Sequence, residues 1–310
     1  MTSVLVTGAS GFVGLPTLTE LVRGGDEVHA ISMRPSAPEV PGVNWHQVDL
    51  GDAAAVDTLM AELSPERLVH LAWYVEHGRF WDAPENVLWV ERSLSLVRAF
   101  ACAGGRRAVL LGTCAEYDWS AADGPLHETR SEISPATLYG VAKDALRRVA
   151  CAYAEREGFG LAWGRLFFLY GPREASGRLV PAVIRSLLAG ETVETTTGRQ
   201  RRDFLHVDDV ARGVVELLDS PIVGPVNIAS GDARAMAEVV DRIALAIERP
   251  ELVLRGALPE RPNEPPLLVG DIGRLRDEVG FEPRITLEDG IAATVAWWRQ
   301  ALTTTTPASR

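Results

Sequence analysis

The sequence predicts an α/β protein, a doubly wound parallel sheet with a smaller mixed α/β lobe toward the carboxyl end. Three observations carry that expectation. Short apolar, β-branched runs alternate with longer stretches of helical spacing through the first half of the chain, a rhythm that puts strands in one sheet and helices on both its faces. A glycine-rich string closes the first strand and opens the first helix. After Pro172 the rhythm changes to briefer elements and proline-punctuated loops. A chain of 310 residues with 46% hydrophobic content is long enough to bury such a core.

In order, "SVLVTG" reads as a buried strand, and "FVGLPTLTELVRGG" as a helix stopped by paired glycines. "DEVHAIS" and "VNWHQVDL" are the second and third strands, followed by the helix "DAAAVDTLMAEL". "ERLVHLAW" is the fourth strand and "NVLWVERSLSLVRAFACAGG" a long helix. "RRAVLLGTC" is the fifth strand, "PATLYGVAKDALRR" begins the next helix, and "FGLAWGRLFFLYGP" leads through the sixth strand. Residues 1–170 thus form a dinucleotide-binding domain, with later returns near 204–230. "GRLVPAVIRSLLAG" is a helix, "ETVETTTGRQRRDFLHVDDVARGVVELLDS" a strand, loop and helix, and "GPVNIASG" a further strand. From Asp232 onward come short helices and loops. Residues 171–203 and 231–310 are expected to make the lobe, covering the sheet's carboxyl edge.

Composition excludes several function classes. A net charge of −11 argues against a nucleic-acid surface, which needs a broad positive field. No apolar run approaches the ~20 residues of a membrane helix. The start "MTSVLVTGAS" goes straight into a strand rather than a signal peptide. Cys102, Cys114 and Cys151 lack metal or CxxC spacing, so no metal is expected and the cytoplasm is the default compartment.

"TGASGFVG" spaces Gly8, Gly11 and Gly14 three apart at the mouth of the first helix. Glycine lets backbone amides approach a pyrophosphate at the positive end of the helix dipole. The second strand ends at Ser32, followed by Met33 and Arg34 rather than by the carboxylate that binds the ribose of NAD. That favours NADP(H), with Arg34 on the 2′-phosphate; NAD(H) is the alternative. Asp49 is placed to accept from the adenine amino group, and a helix-starting turn accounts for it almost as well.

Tyr139 and Lys143 are four apart and share a helix face. A nearby ammonium, joined by the charge of an oxidised nicotinamide, is expected to lower the phenol's pKa. Thr113, where the fifth strand ends, supplies a hydroxyl to orient a substrate oxygen. Together they form a proton-transfer set beside a hydride carrier.

With these residues in place, the chain resembles the extended short-chain dehydrogenase/reductase superfamily, whose members include nucleotide-sugar epimerases, dehydratases and ketoreductases on a Rossmann-type fold. The resemblance runs from Val4 to about Trp298, through the glycine string, "HLAW", Thr113, the YxxxK pair, "LYGP", "RRDFLHVDDVA", "NIASG" and "RPNEPPLLVGD". It implies Tyr139 as general acid/base, Lys143 as its tuner and ribose ligand, and Thr113 as partner on the substrate oxygen. Expected cofactor contacts follow the glycine turn (Gly8, Ser10, Gly11, Phe12, Val13, Gly14). Others come from the ends of strands two to four (Ser32, Arg34, Asp49, Leu50, Leu71, Ala72) and from Phe167, Tyr139 and Lys143. Arg202 and Arg261 are expected to grip a substrate diphosphate, with Arg178, Trp73 and Cys114 also at the pocket. His70 is expected to fix backbone rather than perform chemistry, and Trp297 and Trp298 to be core of the lobe. A homodimer through helices 84–103 and 137–157 is implied by the resemblance alone.

Departures from the family pattern narrow the reaction. Sugar 4,6-dehydratases follow the strand-end threonine with Asp and Glu; this chain has Cys114 and Ala115, so dehydration is not expected. Trp89 and Phe168 stand where asparagines are usual, which makes the pocket more apolar. The leading expectation is an NADPH-dependent 4-ketoreductase acting on a nucleotide-linked 4-keto-6-deoxy sugar, in deoxysugar biosynthesis. An NAD-dependent nucleotide-sugar epimerase comes second, and a non-catalytic cofactor-sensing protein third.

Overall fold

The computed structural model describes residues 2–33, 38–262 and 264–305. Its centre is a seven-stranded sheet. The strands are β1 (Ser3–Thr7), β2 (Glu27–Ser32), β3 (Val43–Gln47), β4 (Arg67–His70), β5 (Arg107–Thr113), β6 (Gly160–Leu166) and, late in the chain, β10 (Gly224–Ile228). All neighbours are parallel, in the order β10-β6-β5-β4-β1-β2-β3. The order reverses between β1 and β4, the switch point where open α/β sheets leave a crevice at their carboxyl ends.

Along β1 the side chains alternate between two cores, as a period of two demands. Val4 and Val6 pack with Leu18 and Leu21 of α1 (Gly14–Arg23) and with Val210 and Val214 of α6 (Val207–Asp219). Leu5 faces the other way, onto a core shared by α2 (Ala53–Leu63), α3 (Glu85–Cys102) and α4 (Leu138–Glu157). Burial on both faces explains why these strands read as continuous apolar runs.

The sixth-strand segment does not continue as one strand. β6 stops at Leu166, Phe167 turns into a cluster with Cys114 and Tyr117, and β7 (Phe168–Tyr170) joins a second, small sheet. There it pairs with β9 (Arg201–His206), which also meets β11 (Ala233–Ala235) and β13 (Leu267–Leu268). β8 (Val193–Thr195) pairs with β12 (Val253–Arg255). The stretch 191–220 therefore holds two strands and a helix, one strand more than expected. "GPVNIASG" joins the large parallel sheet as its seventh strand.

A third core lies among α5 (Leu179–Leu188), α7 (Met236–Ile247) and α8 (Leu287–Thr305), built on Val183, Ile184, Ile243, Val295 and Trp298, with Trp297 packed against it. The two tryptophans sit where the sequence places them. The helices after Asp232 are not all short: α8 has 19 residues. No described helix is long and apolar enough to cross a membrane.

Candidate active site

The glycine turn is held by backbone contact. Gly8 has a left-handed φ of 66°, and a Cβ there would sit 2.6 Å from the Ala72 nitrogen. A Cβ on Gly14 would strike the carbonyl oxygens of Gly8 and Ala9. The turn is tied to β4, because the Leu71 N–H donates to the Thr7 carbonyl at 3.2 Å. Val13 stands at the start of α1, and among the described residues no side chain caps that helix. Close backbone approach and an uncapped helix N-terminus, with Ser10 and Phe12 in the same turn, fit a pyrophosphate.

The remaining expected contacts divide. Ser32 is buried at the end of β2; Arg34 lies outside the described residues. Asp49 Oδ1 accepts from the Gly51 N–H at 2.8 Å, a turn-forming bond, while Asp52 caps α2 through Ala55. Leu50 is buried in the core beneath it. Phe167 is buried with its ring 6.4 Å from that of Tyr117.

Thr113, Tyr139 and Lys143 converge. α4 opens on Thr137, whose hydroxyl accepts from the Gly140 N–H. Its first turn then presses on the short 3-10 turn Cys114–Glu116 that follows β5. A Cβ on Gly140 would strike the Ala115 carbonyl oxygen, and Ala142 is buried. Small residues between tyrosine and lysine let the helix descend onto the strand end.

Thr113 Oγ1 accepts from the Ala115 N–H at 3.2 Å, which leaves the hydroxyl proton for another acceptor. The Thr113 side chain interacts with the Tyr139 phenol. Trp73, Phe80 and Trp81 meet the Tyr139 ring edge-to-face at 6.5, 5.0 and 5.9 Å between centroids. Lys143, the only lysine in the chain, is 4% exposed. Its Nζ donates to the Leu111 carbonyl at 2.8 Å and lies 3.8 Å from the centre of the Trp73 ring. Trp89, one of the family departures, backs Trp73 at 6.1 Å. The Trp73 indole N–H is held by Asn86 Oδ1 at 2.8 Å.

The electrostatics correct one expectation. Burial pushes the Tyr139 phenol above its ordinary range; the Thr113 hydroxyl and Arg178 pull it down, and Cys114 and Glu116 push it up. Lys143, lowered to about 7, has lost its charge well before a phenol raised above its ordinary range titrates. Burial lowers Lys143 itself to about 7, against a raising effect of Glu116. Desolvation outweighs charge at both groups.

His70 was expected to fix backbone; its ring instead bonds two side-chain hydroxyls. Ser93 Oγ donates to the Trp89 carbonyl, so it accepts from His70 Nε2–H at 2.8 Å, and His70 Nδ1 accepts from the Thr7 hydroxyl at 2.6 Å. Burial, with Lys143 nearby, lowers its pKa to about 3 and keeps the ring neutral. Cys114 is a buried thiol pushed up to about 12, largely by desolvation.

On the anion side, Arg178 lies with its guanidinium 5.3 Å from the Phe80 ring and acts on Tyr139. Arg178 and exposed Arg261 both lower His77. Arg202 does not stand open as expected. It is buried, and its guanidinium donates to the carbonyls of Arg201 and Pro265 and to Glu264 Oε1 at 2.9, 2.8 and 2.9 Å. β9 lies inside the small sheet, so this side chain is consumed in holding the late loop.

Sequence reasoning missed Glu116, Asn86, Phe80, Trp81 and Trp119, the last ring standing 6.0 Å from Trp81. Only Glu116 carried a local signal, the T-x-x-E spacing of a capping box with Thr113.

Comparison with known proteins agrees with this architecture. The NAD dependent epimerase/dehydratase family model matches residues 4–229. The chain is 27% identical to a dTDP-glucose 4,6-dehydratase of Xanthomonas campestris pv. campestris (strain B100), over 96% of this chain and 93% of that one. It is 26% identical to a dTDP-4-dehydro-6-deoxy-D-allose reductase of Streptomyces sp, over 96% of each. Among solved structures, MoeE5 in complex with UDP-glucuronic acid and NAD superposes with a TM-score of 0.84 at 29% identity, over 96% of this chain and 99% of the other. With the glycine turn, the switch-point crevice and the matched 226 residues (4–229) in hand, the chain belongs to the NAD dependent epimerase/dehydratase family.

Proposed function

We propose that the chain reduces a nucleotide-linked 4-keto-6-deoxy sugar at the expense of NADPH. The observation that carries this reading is the chemistry beside Tyr139: a neutral buried thiol, Cys114, and Ala115 occupy the two places where dehydratases keep acid/base carboxyls. Tyr139 is the proton donor in this account, and burial keeps it protonated through the neutral range, the state a reduction requires. When bound, the reduced nicotinamide supplies the hydride. Tyr139 gives its proton to the carbonyl oxygen, and the Thr113 hydroxyl donates to the same oxygen as charge develops there. Lys143 holds the ribose and adds positive charge to the cleft floor. Arg178 and Arg261 meet the diphosphate.

NADP is preferred over NAD in this reading because β2 ends on Ser32 without a carboxylate, followed by Arg34. An NAD-dependent nucleotide-sugar epimerase is the second reading, and the NAD bound in a solved relative favours it. In either case the described residues within 171–203 and 231–310 would form the substrate lobe. Val87 and Leu88 on α3 and Val141 and Val149 on α4 are exposed, which supports a homodimer through these helices; sedimentation velocity measures it. The functional test mixes the protein with NADPH and a panel of nucleotide 4-keto-6-deoxy sugars while following absorbance. Oxidation with at least one member supports the reductase. No oxidation, with interconversion of unoxidised nucleotide sugars, transfers the assignment to the epimerase.

A further inference from the structure

Beneath Thr113, Tyr139 and Lys143 lies a fully enclosed carboxylate, Glu116. Its Oε1 accepts from the Thr113 backbone N–H at 2.9 Å and from the Trp163 indole at 2.9 Å. Its Oε2 accepts from Arg165 Nε at 2.7 Å. Arg165 is 1% exposed and donates onward to the Tyr117 hydroxyl and the Glu128 carbonyl. The sequence reserves room for this carboxylate: a Cβ on Gly112 would strike both Glu116 Oε1 and Trp163 Nε1.

A carboxylate is costly to enclose unless paired and hydrogen-bonded, and this one meets more positive charge than its own partner supplies. Arg147 approaches Oε2 at 3.9 Å, but that guanidinium is engaged by Asp144 at 2.6 Å. What remains is Arg165 and, along β5, Lys143: the Lys143 Nζ is bonded to the Leu111 carbonyl and Glu116 Oε1 to the Thr113 N–H two residues on. The other groups it influences are Tyr139, Cys114 and Cys151. On the far side of Lys143 stands His70, held neutral between Thr7 and Ser93.

We propose that Glu116 is a positioning residue of the active set: it fixes the Thr113 backbone at the strand end and is the buried counter-charge against which Lys143 remains an ammonium. The arrangement rests on the reading of Lys143 as an active-site amine. It assigns Glu116 no contact with the substrate; it acts through its neighbours.

Because the chain has one lysine, protein labelled with [13Cε]lysine gives a single side-chain resonance, and its pH titration reads Lys143 directly without cofactor or substrate. The wild-type midpoint is expected near 7. In Glu116→Gln it falls by about one unit or more, the size of effect a neighbouring opposite charge has, while Glu116→Asp restores it toward the wild-type value. A purely structural role would lower thermal stability and leave the midpoint in place. Should Glu116→Gln fail to fold with Arg165 unpaired, the double exchange Glu116→Gln, Arg165→Gln removes the pair as a unit. Removing the guanidinium along with the carboxylate offsets part of the effect, so the downward shift there is expected to be smaller than in Glu116→Gln. A midpoint unchanged within a few tenths in folded Glu116→Gln, or one that does not fall in the double exchange where only that variant folds, overturns the proposal. A shifted midpoint with no NADPH oxidation across the sugar panel overturns the reductase reading alone.

Discussion

Tyr139 and Lys143 were legible because their chemistry is local: four residues on one helix put both side chains on a single face. The direction of their electrostatics was not, since desolvation depends on what the rest of the fold lays over them. For a reductase the outcome is favourable, because a proton donor has to hold its proton. Tyr139→Phe removes that donor while leaving the aromatic packing of Phe80 and Trp81, so turnover should drop by roughly 10²–10⁴-fold with NADPH affinity, read by fluorescence titration, nearly unchanged. The pH dependence follows from Lys143. Its folded pKa of about 7 lies below the ordinary 10.5, so the charged form is present below about 7 and lost above it. Reduction rates should hold level on the acid side and fall by up to about tenfold per unit above pH 7. Conformational stability should move the opposite way: between 7 and 10.5 the unfolded chain binds the extra proton, and Lys143 makes folding more favourable as pH rises through that window. Retained turnover in Tyr139→Phe would remove the phenol from the mechanism.

Among the elements, α4 shows how a helix is aimed. Thr137 caps its start, Gly158 ends it with a left-handed φ of 79°, and Gly140 lets its first turn reach Ala115. Gly140→Ala sets two effects against each other. Alanine in a helix gains about 1 kcal/mol over glycine, but the new methyl meets a backbone carbonyl that has no flexible end to yield, a cost of about 1–3 kcal/mol or more. The clash should win, lowering the thermal midpoint and displacing Tyr139 from Thr113. A higher midpoint with full turnover would show that α4 sits farther from the turn. The alternation of strands and helices made the sheet legible, since each strand's burial is written in its own residues. β7 was hidden inside a largely apolar stretch, "FGLAWGRLFFLYGP", because apolar character does not say which sheet a residue joins.

For the molecule as a whole, the unread part was pairing over long separations. Glu116 meets Arg165 49 positions away, and Arg202 meets Glu264 62 positions away; neither spacing leaves a periodic trace. Arg202 was expected at a diphosphate because the family resemblance gives that role to the arginine before "DF", yet the register of β9 with β13 delivers it to Glu264 and Pro265. The glycine turn was expected to receive a pyrophosphate; what the fold shows at Gly8 is a close backbone contact with Ala72 that only glycine tolerates. What joins these scales is the proposed delivery of hydride from an exchangeable cofactor to a sugar carbonyl. NADPH carrying deuterium at both C4 positions, supplied with a nucleotide 4-keto-6-deoxy sugar, tests that most directly by mass spectrometry. The account predicts one deuterium on the reduced sugar carbon for each cofactor oxidised; epimerised sugar without deuterium, and with the labelled cofactor unspent, would contradict it.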